Sequence, residues 1–202
     1  SHPGVRIETL AYDGSMEPPL SGTVLPDNVI VTLCLSGRDA SAPLSATRNA
    51  AWQARIAAWQ KVTKHLRIWA YTDGGGPAPR PNWMNVGDDL TYLAGIGVEG
   101  YFSEGDGWPL NEYLKNYVIA RKTFNASLDS RAVVAEFNNK FFGSQAGELV
   151  TRYNTLLHNS MAAAPTVNCT WPPSCQAPGR QGPLDRTSKS GPGYSPYSTI
   201  FP

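Results

Sequence analysis

At 202 residues, with 17 Lys and Arg against 16 Asp and Glu and a formal net charge of +1, the chain is long enough for one domain with a sizeable core and too short for two of ordinary size. Its few bases are spread along the sequence, which excludes the clustered cationic field that neutralises phosphates and so argues against a nucleic-acid partner. No apolar run approaches the roughly 20 residues that span a hydrocarbon core, and the opening SHPGVRIE lacks the apolar segment of a secretion signal, as a mature or internal piece would.

In chain order, RIETLAY (residues 6–12) and NVIVTLC (28–34) predict two strands, joined by a Gly/Pro-rich segment containing MEPPLSG. The following RNAAWQARIAAWQKVTKHL spaces Trp52, Ile56, Trp59, Thr63 and Leu66 three or four apart, which draws one apolar stripe along a helix. LRIWAY (66–71) predicts a third strand, and the glycines and prolines of its exit, TDGGGPAPRPNW, forbid continuation. A short helix over 86–94 and a fourth strand over 97–102 complete a strand–helix–strand order that favours a parallel sheet. Continuous apolar runs such as VIVTL fit a sheet covered on both faces.

Three further helices are expected over 110–124, 130–142 and 145–163. In the second, Asp129 or Ser130 serves as cap, Val133, Phe137 and Phe141 stack at i, i+4, i+8, and Gly143 is the stop. Leu149, Tyr153, Leu156 and Leu157 occupy neighbouring turns of the third and read as packing residues.

From residue 165 proline and glycine recur too densely for a helix, which divides the chain into a domain over 1–164 and an extended Pro/Gly-rich tail over 165–202. Trp171, Tyr194, Tyr197, Ile200 and Phe201 gain nothing from full solvation, so the tail is read as lying along the domain or a partner, with a disordered linker as the alternative. Cys169 and Cys175, close together in VNCTWPPSCQ, predict an intraloop disulfide. Cys34 is then left over, either a buried free thiol or a bond to an absent chain. Asn125-Ala-Ser and Asn168-Cys-Thr are glycosylation acceptors, and together with paired cysteines they point to a secreted or extracellular protein. Neither the cysteines nor the three histidines offer the spacing of a metal site.

Parallel sheets carry their chemistry beyond the carboxyl ends of the strands. Those ends offer Tyr12 and Asp13, Ser36 and Arg38, Tyr71 and Asp73, then Glu104 and Asp106, a mix of rings and acids that resembles the lining of a carbohydrate cleft. Glu104, between the aromatic GYFS and Gly105, is the main candidate acid, since glycosidic cleavage needs a proton donor for the leaving oxygen and a second group for the anomeric carbon. Asp73, Asp106 and Asp13 each stand before glycine, where turn chemistry explains them equally well. Trp108 and Trp83 suit either a sugar face or the next helix, Arg38 offers a planar fork to a carboxylate, and His65 reads as a helix C-terminal residue. The triple glycine lacks the lysine and hydroxyl of a phosphate loop, and no serine sits in a GxSxG elbow.

LAYDGSMEPP, PDNVIVTLC, the tryptophan-bearing helix before LRIWAY, PRPNW, GVEGYFSEG, and EFNNKFFG followed by Tyr153 together resemble, over residues 6–157, the DUF4838 family, which is related to glycoside hydrolases that include endo-acting β-N-acetylglucosaminidases. The resemblance implies a TIM-type barrel acting on β-linked N-acetylhexosamine glycans, with Tyr12, Tyr71, Asn82 and Glu104 at or near the cleft. It also implies attack by the substrate's own acetamido oxygen, without metal or organic cofactor. The family's histidine and further cysteine after the second strand are missing from LCLSGRDASAPLSATRN. Four strands make only the C-terminal half of a (β/α)8 barrel, so a second polypeptide supplying the other half is expected, with Cys34 as a candidate link to it. The alternative is a noncatalytic secreted structural or glycan-binding glycoprotein.

Overall fold

The structure, a computed structural model, describes residues 4–20, 22–72, 80–104 and 109–163, with the backbone alone for 109–111. It is a mixed α/β fold. Strands β1 (Ile7–Ala11), β2 (Val29–Cys34), β3 (His65–Tyr71) and β4 (Gly100–Glu104) form one parallel sheet in the order β1-β2-β3-β4. Helix α1 (Ala50–Val62) links β2 to β3 and α2 (Trp83–Gly95) links β3 to β4, after which α3 (Pro109–Phe124), α4 (Ser130–Phe142) and α5 (Ser144–Ala163) follow. Each strand pairs with the next in sequence, so the sheet winds in one direction and right-handed crossovers bring both connecting helices to the same face.

That face holds the core. Val31, Leu33, Leu66, Ile68 and Ala70 meet Trp52, Ile56, Trp59 and Val62 of α1 and Leu93 of α2. A second cluster, Trp83, Met84, Leu114, Val118, Val133, Val134 and Phe137, joins α2, α3 and α4. The stripe read for α1 packs as expected through Trp59, but the helix ends before Thr63. Thr63 is extended, and its hydroxyl accepts from His65 N at 3.1 Å, so the chain turns directly into β3. His65 is therefore the first residue of a strand rather than a helix end, with Nδ1 2.8 Å from Glu99 Oε1. Strand β4 starts three residues later than expected because Gly97, at φ 81°, makes the preceding turn in a backbone region that favours glycine. It continues through Glu104, which is paired with Tyr71.

The opposite face departs from expectation. Register places Glu8 and Leu10, Thr32 and Cys34, Arg67, Trp69 and Tyr71, then Gly100, Phe102 and Glu104 together there. No helix among the described residues covers these side chains, and Leu10 and Phe102 are about half exposed, at 48% and 50%. Coverage of both faces, suggested by VIVTL, holds for β2 alone. The four strands form an open sheet, and barrel closure is not observed among the described residues. No described helix is long and apolar enough to cross a membrane.

Helix α4 is capped by the Asp129 side chain, which accepts from Ala132 N at 2.8 Å. The α4–α5 corner closes tightly because residue 147 is glycine. A Cβ there would stand 2.6 Å from Asn139 Cα, a backbone atom that cannot swing aside. Gly147→Ala is accordingly expected to cost about 1–3 kcal/mol as overpacking. Gly95→Ala, on the last residue of α2 with open space around it, is the matched control and should leave the denaturation midpoint unchanged or slightly raised.

Candidate functional site

The carboxyl ends of the strands gather Tyr12, Cys34, Trp69, Tyr71, Phe102 and Glu104. Tyr12 follows β1 and is fixed by a tight turn: its backbone N–H donates to Ser15 Oγ at 3.2 Å, and Ser15 Oγ donates back to Tyr12 O at 2.9 Å. Asp13, inside this turn, takes a φ of 47°, unusual for a residue with a side chain. The rings of Tyr12 and Tyr71 stand 6.5 Å apart.

Glu104 is held from below. Trp69 Nε1 donates to Glu104 Oε2 at 3.0 Å, and the Trp69 ring packs on Phe102 with centroids 4.3 Å apart. This follows from register: Trp69 pairs with Phe102 and Tyr71 with Glu104, so the indole reaches diagonally along the same face. Burial, followed by the nearby Tyr12, Cys34 and Glu104, pushes the Tyr71 phenol far above its ordinary range, which keeps it a neutral donor. Burial likewise pushes the Cys34 thiol up, only partly offset by Tyr71.

Towards the amino ends of the strands the open face becomes a polar floor. Glu8 accepts from Thr32 Oγ1 at 2.5 Å and from Arg67 Nη1 at 3.0 Å. Arg67 can lie across β4 because position 100 is glycine, where a Cβ would stand 3.0 Å from Arg67 Cγ. A cleft of about 530 Å³ runs over this floor, lined by Glu8, Leu10, Thr32, Arg67, Trp69 and Phe102 among others.

Two other candidates lie inside the scaffold. Arg38 is 2% exposed, with Nη2 2.6 Å from Asp89 Oδ2. Asp89 Oδ1 in turn accepts from Leu44 N at 2.6 Å, which ties the β2 exit loop to α2. Burial raises the Asp89 carboxyl to about 6, against the pull of Arg38 and the Leu44 N–H. Asn82 is fully buried, and its Nδ2 donates to Thr72 O at 3.0 Å, the same carbonyl that receives Lys115 Nζ at 3.0 Å. Both therefore hold loop exits in place. Trp83 is also fully buried, within the second core cluster.

Asp73, Asp106 and Trp108 lie outside the described residues, as do Asn168, Cys169 and Cys175. Asn125 is exposed in the α3–α4 turn, where its Oδ1 accepts from Ser127 N at 3.0 Å. The expectation of a disulfide is corrected for the described residues: no two Sγ atoms stand at bonding distance among them, Cys34 there is a buried free thiol, and the Cys169–Cys175 pair lies outside them. No group of three or more His, Cys, Asp or Glu among the described residues is arranged to hold a metal ion.

Sequence reasoning missed Trp69 and Phe102. The available signal was period two: Trp69 precedes Tyr71, and Phe102 precedes Glu104, by two residues each, so they share a face with the residues already singled out.

A family model described as "Domain of unknown function (DUF4838)" matches residues 1–155. Neither the curated proteins nor the solved structures gave a match.

Proposed function

This chain belongs to the DUF4838 family, whose description names no activity; from the site together with the resemblance to glycoside hydrolases noted in its sequence, we propose that it is a glycoside hydrolase-like protein binding or cleaving β-linked N-acetylhexosamine glycans outside the cell. The observation that carries this reading is the arrangement at the carboxyl end of the open face. A carboxylate held by an indole N–H lies beside two tyrosines and a half-exposed Phe102. Rings of this kind stack on sugar faces, and a carboxyl beside them serves a leaving oxygen.

Glycosidic cleavage needs two groups. Among the strand residues of the open face, Glu104 is the carboxylate at that end, since Glu8 is engaged on the floor; Asp13 stands in the turn after β1, and Asp73 and Asp106 lie outside the described residues. A second polypeptide would supply the other group as well as the strands that cover Leu10 and Phe102 and pair the unsatisfied edges of β1 and β4. Its contribution would complete a TIM-type barrel of which this chain is the C-terminal half. A single carboxylate on the described strands at that end also favours a second reading, a noncatalytic secreted structural or glycan-binding glycoprotein.

Native material, purified and weighed intact with any co-purifying chain sequenced, tests the assembly; incubation with β-linked N-acetylglucosamine oligomers tests the chemistry. The expected outcome is a companion chain and cleavage. A folded monomer with no companion sinks the two-chain assembly, and glycan bound but never cleaved selects the second reading.

A further inference from the structure

Helix α5 turns part of its apolar surface outward: Leu157 packs on the second core cluster, but three other apolar side chains do not. Its fully buried positions are Gly147, Asn154 and His158. Thr151 lies on the same side, accepting from Asn138 Nδ2 at 3.0 Å and donating to Gly147 O at 2.8 Å. His158 Nδ1 stands 3.1 Å from Pro81 O. Leu149, Tyr153 and Leu156 meanwhile face outward at 63%, 60% and 66% exposure. Spaced i, i+4, i+7, they form one continuous stripe. Single exposed leucines need no explanation, but three large apolar side chains aligned on one exposed helix face mark a surface that something covers.

The size of the stripe limits its occupant. Three side chains on one helix offer far less than the roughly 800 Å² per partner of a stable bimolecular interface, which disfavours a second copy docking through α5 alone. A tethered segment needs much less area, because a short linker gives it an effective concentration near the millimolar range. Such a segment begins where α5 ends, at Ala163. Residues 164–202 are more than long enough, since a 20-residue helix spans about 30 Å and about ten extended residues cover that distance.

The sequence of this segment matches the stripe. Tyr194, Tyr197 and Ile200 recur every third residue among Pro192, Pro196 and Pro202, a repeat that would align the three side chains on one edge of a polyproline II strand. We propose that residues 190–202 fold back onto α5 and cover Leu149, Tyr153 and Leu156, an intramolecular strap independent of any glycan chemistry.

Photocrosslinking tests the strap in the full chain, with p-benzoylphenylalanine in place of the exposed Tyr153. Mass mapping should find an intrachain crosslink to a peptide within 190–202, with a yield independent of protein concentration. The triple variant Tyr194→Ser, Tyr197→Ser, Ile200→Ser should lower that yield by about tenfold or more, since the tether still keeps the segment near α5 but the apolar contacts that seat it are gone. A crosslink that joins two copies, a crosslink to another polypeptide, a yield unaffected by the triple variant, or no crosslink to the tail would each overturn the proposal.

Discussion

Arg38→Met is expected to destabilise the domain by about 3–5 kcal/mol at pH 8, the usual cost of removing one partner from a buried ion pair. Both side chains of the pair are 2% exposed, so water cannot replace the lost guanidinium beside Asp89. The carboxyl must then either stay charged without compensation or take up a proton. Burial already holds Asp89 near 6 with Arg38 pulling it down, and removing that pull raises it further above its unfolded value of 3.8. A folded-state value above the unfolded one gives stability that is complete below the unfolded value and is lost as pH rises through the folded one. The deficit of the variant against wild type should therefore be largest at pH 8 and narrow towards pH 4, as read from denaturant midpoints. The double variant Arg38→Met, Asp89→Asn should recover most of the loss at every pH, since the amide is neutral and still accepts from Leu44 N. A deficit that does not change with pH, or a double variant as weak as the single, would mean that Arg38 supports the fold mainly through its packing.

That a fork-shaped cation at a strand exit turns out to tie a loop to α2 illustrates what the sequence could and could not convey. Element type and order were legible because hydrophobic periodicity is local: Trp52, Ile56 and Trp59 sit three or four apart, and the six residues of VIVTLC form β2 as read. Family membership was legible for the same reason, in short ordered phrases. Which way an amphipathic element faces is a tertiary property. The period of α5 marked Leu149, Tyr153, Leu156 and Leu157 as packing residues, yet Leu157 alone of these packs on the second core cluster, while the inward side also carries the polar contacts of Thr151 and His158 and the other three point outward. Arg38, read as a fork for a carboxylate, and Asn82, placed near the cleft by the resemblance, are both buried, held by Asp89 and by the Thr72 carbonyl, partners that no local pattern names. The open sheet face was hidden because Trp69 and Phe102 are apolar enough to pass for core. The Trp69–Glu104 bond depends on the β3–β4 register, which no single strand encodes.

In the assembly that includes the companion chain, Glu104→Gln is expected to lower turnover of β-linked N-acetylglucosamine oligomers by about 10²–10⁴-fold, the contribution of a positioned acid or base. The amide is nearly isosteric, and its carbonyl oxygen can still accept from Trp69 Nε1, so thermal stability and glycan affinity should change little. Trp69→Phe separates support from chemistry. It keeps a ring on Phe102 but removes the donor that fixes Glu104 Oε2 at 3.0 Å, and should lower turnover by a smaller factor, about tenfold, as loss of orientation does. The ordering of the two variants carries the argument: a carboxylate that does the proton chemistry suffers more from losing its acidity than from losing its clamp. Equal turnover in wild type and Glu104→Gln would remove Glu104 from the chemistry. A wild-type assembly that binds the oligomers without cleaving them, with both variants weakening that binding, would instead make the Trp69–Glu104 pair part of a lectin-like surface.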